Sequence, residues 1–225
     1  MITLADRLRP LGRRQSDVSG GSGAPGAVRS AVLSYDLPLV LGASCVIALA
    51  AQLAIQLPFS PVPITGQTLA LLLLAAALGR VRAAAAALCY LAEGAAGIPV
   101  FAGGSAGAHV LAGPTGGYLV GFVPAAWLVG ALAERGFDRH PATTAIAMLI
   151  GNAVVLLCGA SWLAVFVGPD RAVMLGVLPF LIGDVVKAAF AAALLPLSWR
   201  ALGGTREPGG PRGPAGAGGA TDVRP

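Results

Sequence analysis

The sequence predicts an all-α integral membrane protein of six transmembrane helices. Three observations carry that prediction. Only 11% of the 225 residues are charged and 56% are hydrophobic, whereas charged residues make up about 25% of an ordinary soluble domain. Mean hydropathy is +0.79. Between two polar tails the apolar residues collect into segments parted by short Pro-, Gly- and Arg-rich punctuation; since a span needs about 20 apolar residues, there is room for six. The expected division is a basic tail at 1–36, one membrane domain at 37–199 and a Gly/Pro/Arg-rich tail at 200–225.

The first tail carries Arg7, Arg9, Arg13, Arg14 and Arg29 around a Gly/Ser patch. Such a composition cannot bury a core, and both tails are expected to be disordered. No apolar stretch precedes a cleavage site there, so the first span, 38–57, is expected to serve as its own insertion signal. In it Ala50-x-x-x-Ala54 sets two small residues on one helical face, as a docking motif or as chance in an alanine-rich chain. The prolines at 58, 61 and 63 then stop the helix and stiffen the connection.

The second span ends near Gly79. Thr65, Gln67 and Thr68 stand at its mouth, either capping its free N–H groups or hydrogen-bonding a ligand. Arg80-Val-Arg82 reads as a basic hinge, and the third span, 83–96, holds Tyr90 and Glu93 near its far end. A loop without Lys or Arg follows at 102–113. Pro114 is expected in the first turn of the fourth span, where Gly117-x-x-x-Gly121 permits close helix approach. The turn at 134–140 is charged, and the fifth span, 143–167, has Asn152 as its one strongly polar side chain. A short amphipathic piece then leads to Pro179, in the first turn of the sixth span, which ends near Trp199.

Catalytic signatures are missing. There is no GxxxxGK[ST] phosphate loop, no HExxH and no Gly-x-Ser-x-Gly elbow. Cys45, Cys89 and Cys158 lie in apolar segments without metal-ligand spacing, and His109 and His140 are lone loop residues. The chain is therefore expected to be no enzyme and to hold no metal or cofactor.

Within the last span Asp184 and Lys187 are three residues apart, so on a helix they share a face. Ionisable groups inside a span cost at least a few kcal/mol, which makes the pair a functional site by default and a structural ion pair otherwise. Arg80, Arg82, Arg135, Arg139, Arg200 and the tail arginines fall on one side of a six-span arrangement, and Arg171 alone on the other. The positive-inside rule then puts both termini in the cytoplasm. The pair lies below the proline and glycine loops in an outward pocket with expected walls Phe59, Phe101, Tyr118 and Trp162. A carboxylate beside an ammonium suits a neutral ligand bearing both N–H and C=O groups, such as a urea or an amide.

Four segments, 58–68 (PFSPVPITGQT), 97–104 (GIPVFAGG), 113–122 (GPTGGYLVGF) and 180–187 (FLIGDVVK), resemble the BioY family in their order. These are the biotin-specific S components of energy-coupling-factor (ECF) transporters, and the resemblance covers about 38–199. It implies an S-component fold in the plasma membrane that captures biotin on the outer side and delivers it inward. An ECF coupling subunit and ATPases are the implied partners, the ATP being hydrolysed by them; nucleic acid is not among them. Asp184 and Lys187 match the family's Asp and Lys on the last helix, which contact the biotin head group. Gln67, Thr65, Thr115 and Tyr118 lie within matching motifs as further substrate-binding candidates, and Ala50 and Ala54 match the family's docking motif for the coupling subunit. For the ligand's carboxylate the outer loops offer His109, Arg171 or an anion nest of backbone N–H groups at 103–107. The alternative is a proton-coupled secondary transporter of another small heterocycle.

Overall fold

The structure, a computed structural model, describes residues 3–7 and 25–201, with the backbone alone at 7 and 25–34. The expectation of disorder at 8–24 and 202–225 lies outside the described residues. In chain order the elements are α1 (Leu4–Arg7), α2 (Pro25–Ala51), β1 (Ala54–Ile55), β2 (Ile64–Thr65), α3 (Gln67–Leu78), α4 (Arg80–Ala95), a 3-10 turn (Ala102–Gly104), α5 (Ala108–Ala112), α6 (Gly116–Glu134), α7 (Pro141–Val167), α8 (Pro169–Gly176) and α9 (Leu178–Ala201).

Among the described residues six longer helices, α2, α3, α4, α6, α7 and α9, make the bundle. The central one is α6, which packs on α3, α4 and α7; its most apolar stretch is 67% buried against 28% for that of α7. Close packing on α7 follows from the small residues of α6. A Cβ on Gly121 would lie 2.9 Å from Cys158 Cβ and 3.3 Å from the Val155 Cα, so a side chain there forces the helices apart. Polarity is arranged as lipid demands: Ile182 is 79% and Val165 77% exposed, while Ser44, Gln67, Thr144, Asn152 and Asp184 are buried.

Several boundaries differ from the sequence expectation. Helix α2 begins at Pro25 and runs through Pro38 to Ala51. It ends before Ala54, which stands in β1 opposite Thr65, so Ala50 and Ala54 do not share a helical face. The pivot before α4 is Gly79, whose φ of 83° suits glycine, and Arg80 and Arg82 already belong to the first turn of α4. Pro114 precedes the N-cap of α6, Thr115.

Not every helix is long enough to cross alone. Those that are, by length and composition among the described residues, are α6, α7 and the α8–α9 stretch. Helix α3 has 12 residues and α4 has 16, about 18 and 24 Å at 1.5 Å per residue. Irregular backbone around 56–63 and 101–105 lines a cavity, the setting in which non-helical chain is tolerated in a membrane protein.

The end of the bundle opposite that cavity is held by charges. Arg82 pairs with Asp6 at 2.9 Å and with Asp36 at 2.8 Å, and the Tyr35 hydroxyl donates to the Ala5 carbonyl at 3.0 Å. The short helix α1 is thereby tied to the body. Burial acts to raise the Asp6 carboxyl, but hydrogen bonds from Thr3 and Arg82 outweigh it and hold the group below its usual value. Arg80 meets Glu134 at 3.4 Å, and Trp199 donates its indole N–H to the Asp138 carboxylate under the Arg139 guanidinium.

Two outcomes are expected. Gly121→Ala should cost about 1–3 kcal/mol through overpacking, read as a lowered unfolding temperature in detergent. Burial lifts the Asp138 carboxyl above its usual value in spite of Trp199 and Arg139. A raised folded value means that the native state binds the proton more tightly, so this group's contribution to stability is lost as pH rises through the folded value. Asp138→Asn keeps an acceptor for Trp199 and removes that loss, so its melting temperature should gain on the wild type from acid to neutral pH; parallel profiles would refute the assignment.

Candidate functional site

A cavity of about 420 Å³ opens among α3, α6, α7, α9 and the irregular segments, within the usual range of about 300–1,000 Å³ for small-molecule sites. All six substrate-site candidates line it: Asp184, Lys187, Tyr118, Gln67, Thr65 and Thr115. They come from α3, α6 and α9 with the strand and cap residues beside them, and only the folded bundle brings them together.

Its charged part is on α9. Lys187 Nζ stands 3.6 Å from Asp184 Oδ1, one turn apart on the same face, beyond ordinary hydrogen-bond length. The ammonium instead donates to Thr68 Oγ1 at 2.8 Å. Asp184 is 6% exposed, so the charges compensate each other while the carboxylate keeps lone pairs for a guest. Thr68 is the partner that spacing along the chain does not reveal, since it lies 119 positions before Lys187.

A second polar unit is fixed by a relay. Thr65 Oγ1 donates to Gln67 Oε1 at 3.1 Å, Gln67 Nε2 to the Tyr90 hydroxyl at 2.6 Å, and Tyr90 to the Val100 carbonyl at 3.1 Å. These bonds set the orientation of the amide, which retains one N–H and one lone pair. Gly66 is the N-cap of α3 and no side chain caps it, so Thr65, Gln67 and Thr68 do not serve as caps. The Tyr118 hydroxyl donates to the Gly176 carbonyl at 2.8 Å, and its ring lies beside Phe180.

The apolar walls are Phe101, Phe122, Phe180 and the Tyr118 ring. Two expected walls are elsewhere: Phe59 is 59% exposed, and Trp162 is held outside by its indole bond to the Gly113 carbonyl. Neither His109 nor Arg171 lines the cavity, but Ala102, Gly103 and Ser105 of the glycine loop do. Ser60 fastens the proline segment by donating to the Leu175 carbonyl at 2.7 Å. Asn152 also lines the cavity; as the lone amide of an apolar span it was visible in the sequence, but nothing there assigned it to this site. Glu93 is engaged by Ser44 and Cys89 and takes no part. Among the described residues no group of three or more His, Cys, Asp or Glu is placed to hold a metal ion.

Comparison with known proteins agrees with this architecture. The BioY family model matches residues 26–204. A probable biotin transporter BioY from Pyrococcus horikoshii is 42% identical over 79 residues, 35% of this chain and 44% of that protein. Longer matches are the biotin transporter BioY of Rhizobium etli, 37% identical over 68% of this chain and 87% of its own length, and the biotin transporter BioY2 of Lactococcus lactis subsp. cremoris, 36% identical over 68% and 84%. The crystal structure of an S-component for biotin from an ECF-type ABC transporter superposes with a TM-score of 0.66 at 24% identity, covering 80% of this chain and 95% of that one, and shares its fold. With the family model spanning most of the chain and the long relatives matched over most of their length, this protein belongs to the BioY family.

Proposed function

We propose that this chain is the membrane component that captures biotin for uptake and hands it to the cytoplasm in concert with an ECF module. The observation that carries the reading is the pair of buried Asp184 and half-buried Lys187 on the wall of a ligand-sized cavity, in a family whose named relatives are biotin transporters. Biotin's bicyclic head is a cyclic urea. Asp184 accepts a ureido N–H, and Lys187 donates to the ureido oxygen while Thr68 holds it. Both charges thereby gain a hydrogen bond in place of water, and the ureido head itself brings no net charge to the pair. Phe101, Phe122, Phe180 and the Tyr118 ring sandwich the apolar part of the bicycle, and the valerate chain runs toward the glycine loop.

The cavity end faces outward in this reading. Arg80, Arg82, Arg135, Arg139 and Arg200 belong to the opposite end, which the positive-inside rule puts in the cytoplasm together with both tails. No nucleotide-binding loop is present in the sequence, so the energy for release comes from partner ATPases. The proline segment, tied down by the Ser60 bond, acts as the movable cover.

Calorimetry on the detergent-solubilised protein tests the ligand and the site together. The wild type should bind biotin tightly. Asp184→Ala and Lys187→Ala should each lose about 1.5–3 kcal/mol of binding, since each removes a charged hydrogen-bond partner of the ureido group. Full affinity in either variant would remove the pair from the site, and a folded wild type indifferent to biotin would refute the substrate. Topology is read separately, after replacing Cys45, Cys89 and Cys158 by Ala. Ser105→Cys should react with an impermeant maleimide added outside intact cells, and His140→Cys should not; the reverse pattern would invert the protein.

A further inference from the structure

Asn152 has an unexplained position. It sits near the middle of α7, is 3% exposed, and lines the cavity that holds Asp184 and Lys187. Its side chain makes no hydrogen bond with any described residue, and Oδ1 is one of two buried side-chain atoms there that lack a partner. The other is on Asp138, at the far end of the bundle. Gln67, Thr65, Tyr118 and Lys187, by contrast, each hold a protein partner. A small void bounded by Thr68, Leu72, Met148, Asn152 and Lys187 puts Asn152 next to the Thr68–Lys187 bond, with apolar neighbours that offer nothing to its amide. An amide kept buried without a partner weakens a fold, so its use is to be sought in what enters the cavity.

The chemistry of a cyclic urea supplies that use. Its two N–H bonds diverge on either side of the carbonyl, so one carboxylate cannot receive both. Asp184 serves one of them. Gln67 Oε1 already accepts from Thr65, whereas Asn152 Oδ1 is a buried acceptor without a donor. We propose that Asn152 receives the second ureido N–H and so selects head groups that carry two donors. This assignment rests on the biotin reading above and goes beyond it by naming the group that distinguishes a urea from a lactam or a carbamate. Whichever way the amide is turned, the conclusion holds, because neither of its polar ends is engaged by the protein.

The test compares biotin with the two cyclic carbamate analogues in which one or the other ureido N–H is replaced by oxygen. Affinities are measured by calorimetric competition for the wild type and for Asn152→Leu, with Asn152→Ala as the variant that adds no bulk. Either substitution should weaken biotin by about 10- to 100-fold, the effect of leaving one buried donor of the ligand unpaired. It should also abolish the preference for biotin over one analogue and preserve it over the other. The ligand-free melting temperature of Asn152→Leu should stay level or rise, since an unpaired buried amide has been replaced by an apolar group of similar size. A residue with a purely structural role would show the opposite, a falling melting temperature with unchanged selectivity. Undiminished biotin affinity in both variants, or equal weakening of biotin and both analogues, overturns the assignment. Wild-type protein that binds none of the three overturns the biotin reading itself, and the role of Asn152 with it.

Discussion

The structure depends on keeping two opposite charges on one helix of an apolar bundle. Asp184 and Lys187 are tolerable in the bundle because they face each other across one turn and because Thr68, from a different helix, accepts a hydrogen bond from the ammonium. That requirement draws α3 toward α9 and leaves space beside them instead of packed side chains. The cavity follows from incomplete compensation: at 3.6 Å the ion pair is loose, and a guest with a donor and an acceptor improves it. In the proposed reading, binding is the completion of a hydrogen-bond network that the protein alone leaves open.

The rest of the site is a set of devices that hold polar groups in fixed directions. Gln67 is turned by Thr65 and Tyr90, and Tyr90 by the Val100 carbonyl, so the amide meets the ligand without losing rotational freedom at that moment. The Tyr118 hydroxyl is spent on Gly176, which makes its ring a wall and explains why a tyrosine does work here that is mostly apolar. The proline segment is held by a short antiparallel contact at its two ends and a serine bond to the Leu175 carbonyl, few ties for a segment that covers a cavity.

Much of this was legible in the chain. Charged residues are rare enough in its apolar segments that Asp184 and Lys187 announce themselves, and a spacing of three puts them on one face in any helix. The span count could be read from composition, and Thr65, Gln67, Thr115 and Tyr118 from the resemblance of the motifs that hold them; their meeting in one cavity could not. The Thr68–Lys187 bond joins positions 119 apart, and no local rule reaches that far. Spacing also misled at Ala50 and Ala54, because a four-residue interval means a shared face only while the helix lasts, and this one ends at Ala51. Pro38 looked like a beginning and lies inside a helix that starts at Pro25. Trp162 looked like a wall and is drawn away by a backbone carbonyl, a preference that only the folded neighbourhood creates.

The unequal lengths of the helices carry a consequence for the surrounding lipid. Helix α4 turns Val81 and Leu88 outward yet has only 16 residues, about 24 Å against a hydrocarbon core of about 30 Å. Helix α7, with 27 residues, is longer than the bilayer needs. The apolar helix on the α4 flank is therefore shorter than that on the α7 flank. A bilayer meets such a difference by thinning along one flank, or the whole bundle leans until both flanks fit. Acyl-chain length is then a mechanical variable for this protein, one that sets its inclination in the membrane and with it the angle at which its arginine-rich end meets anything bound there.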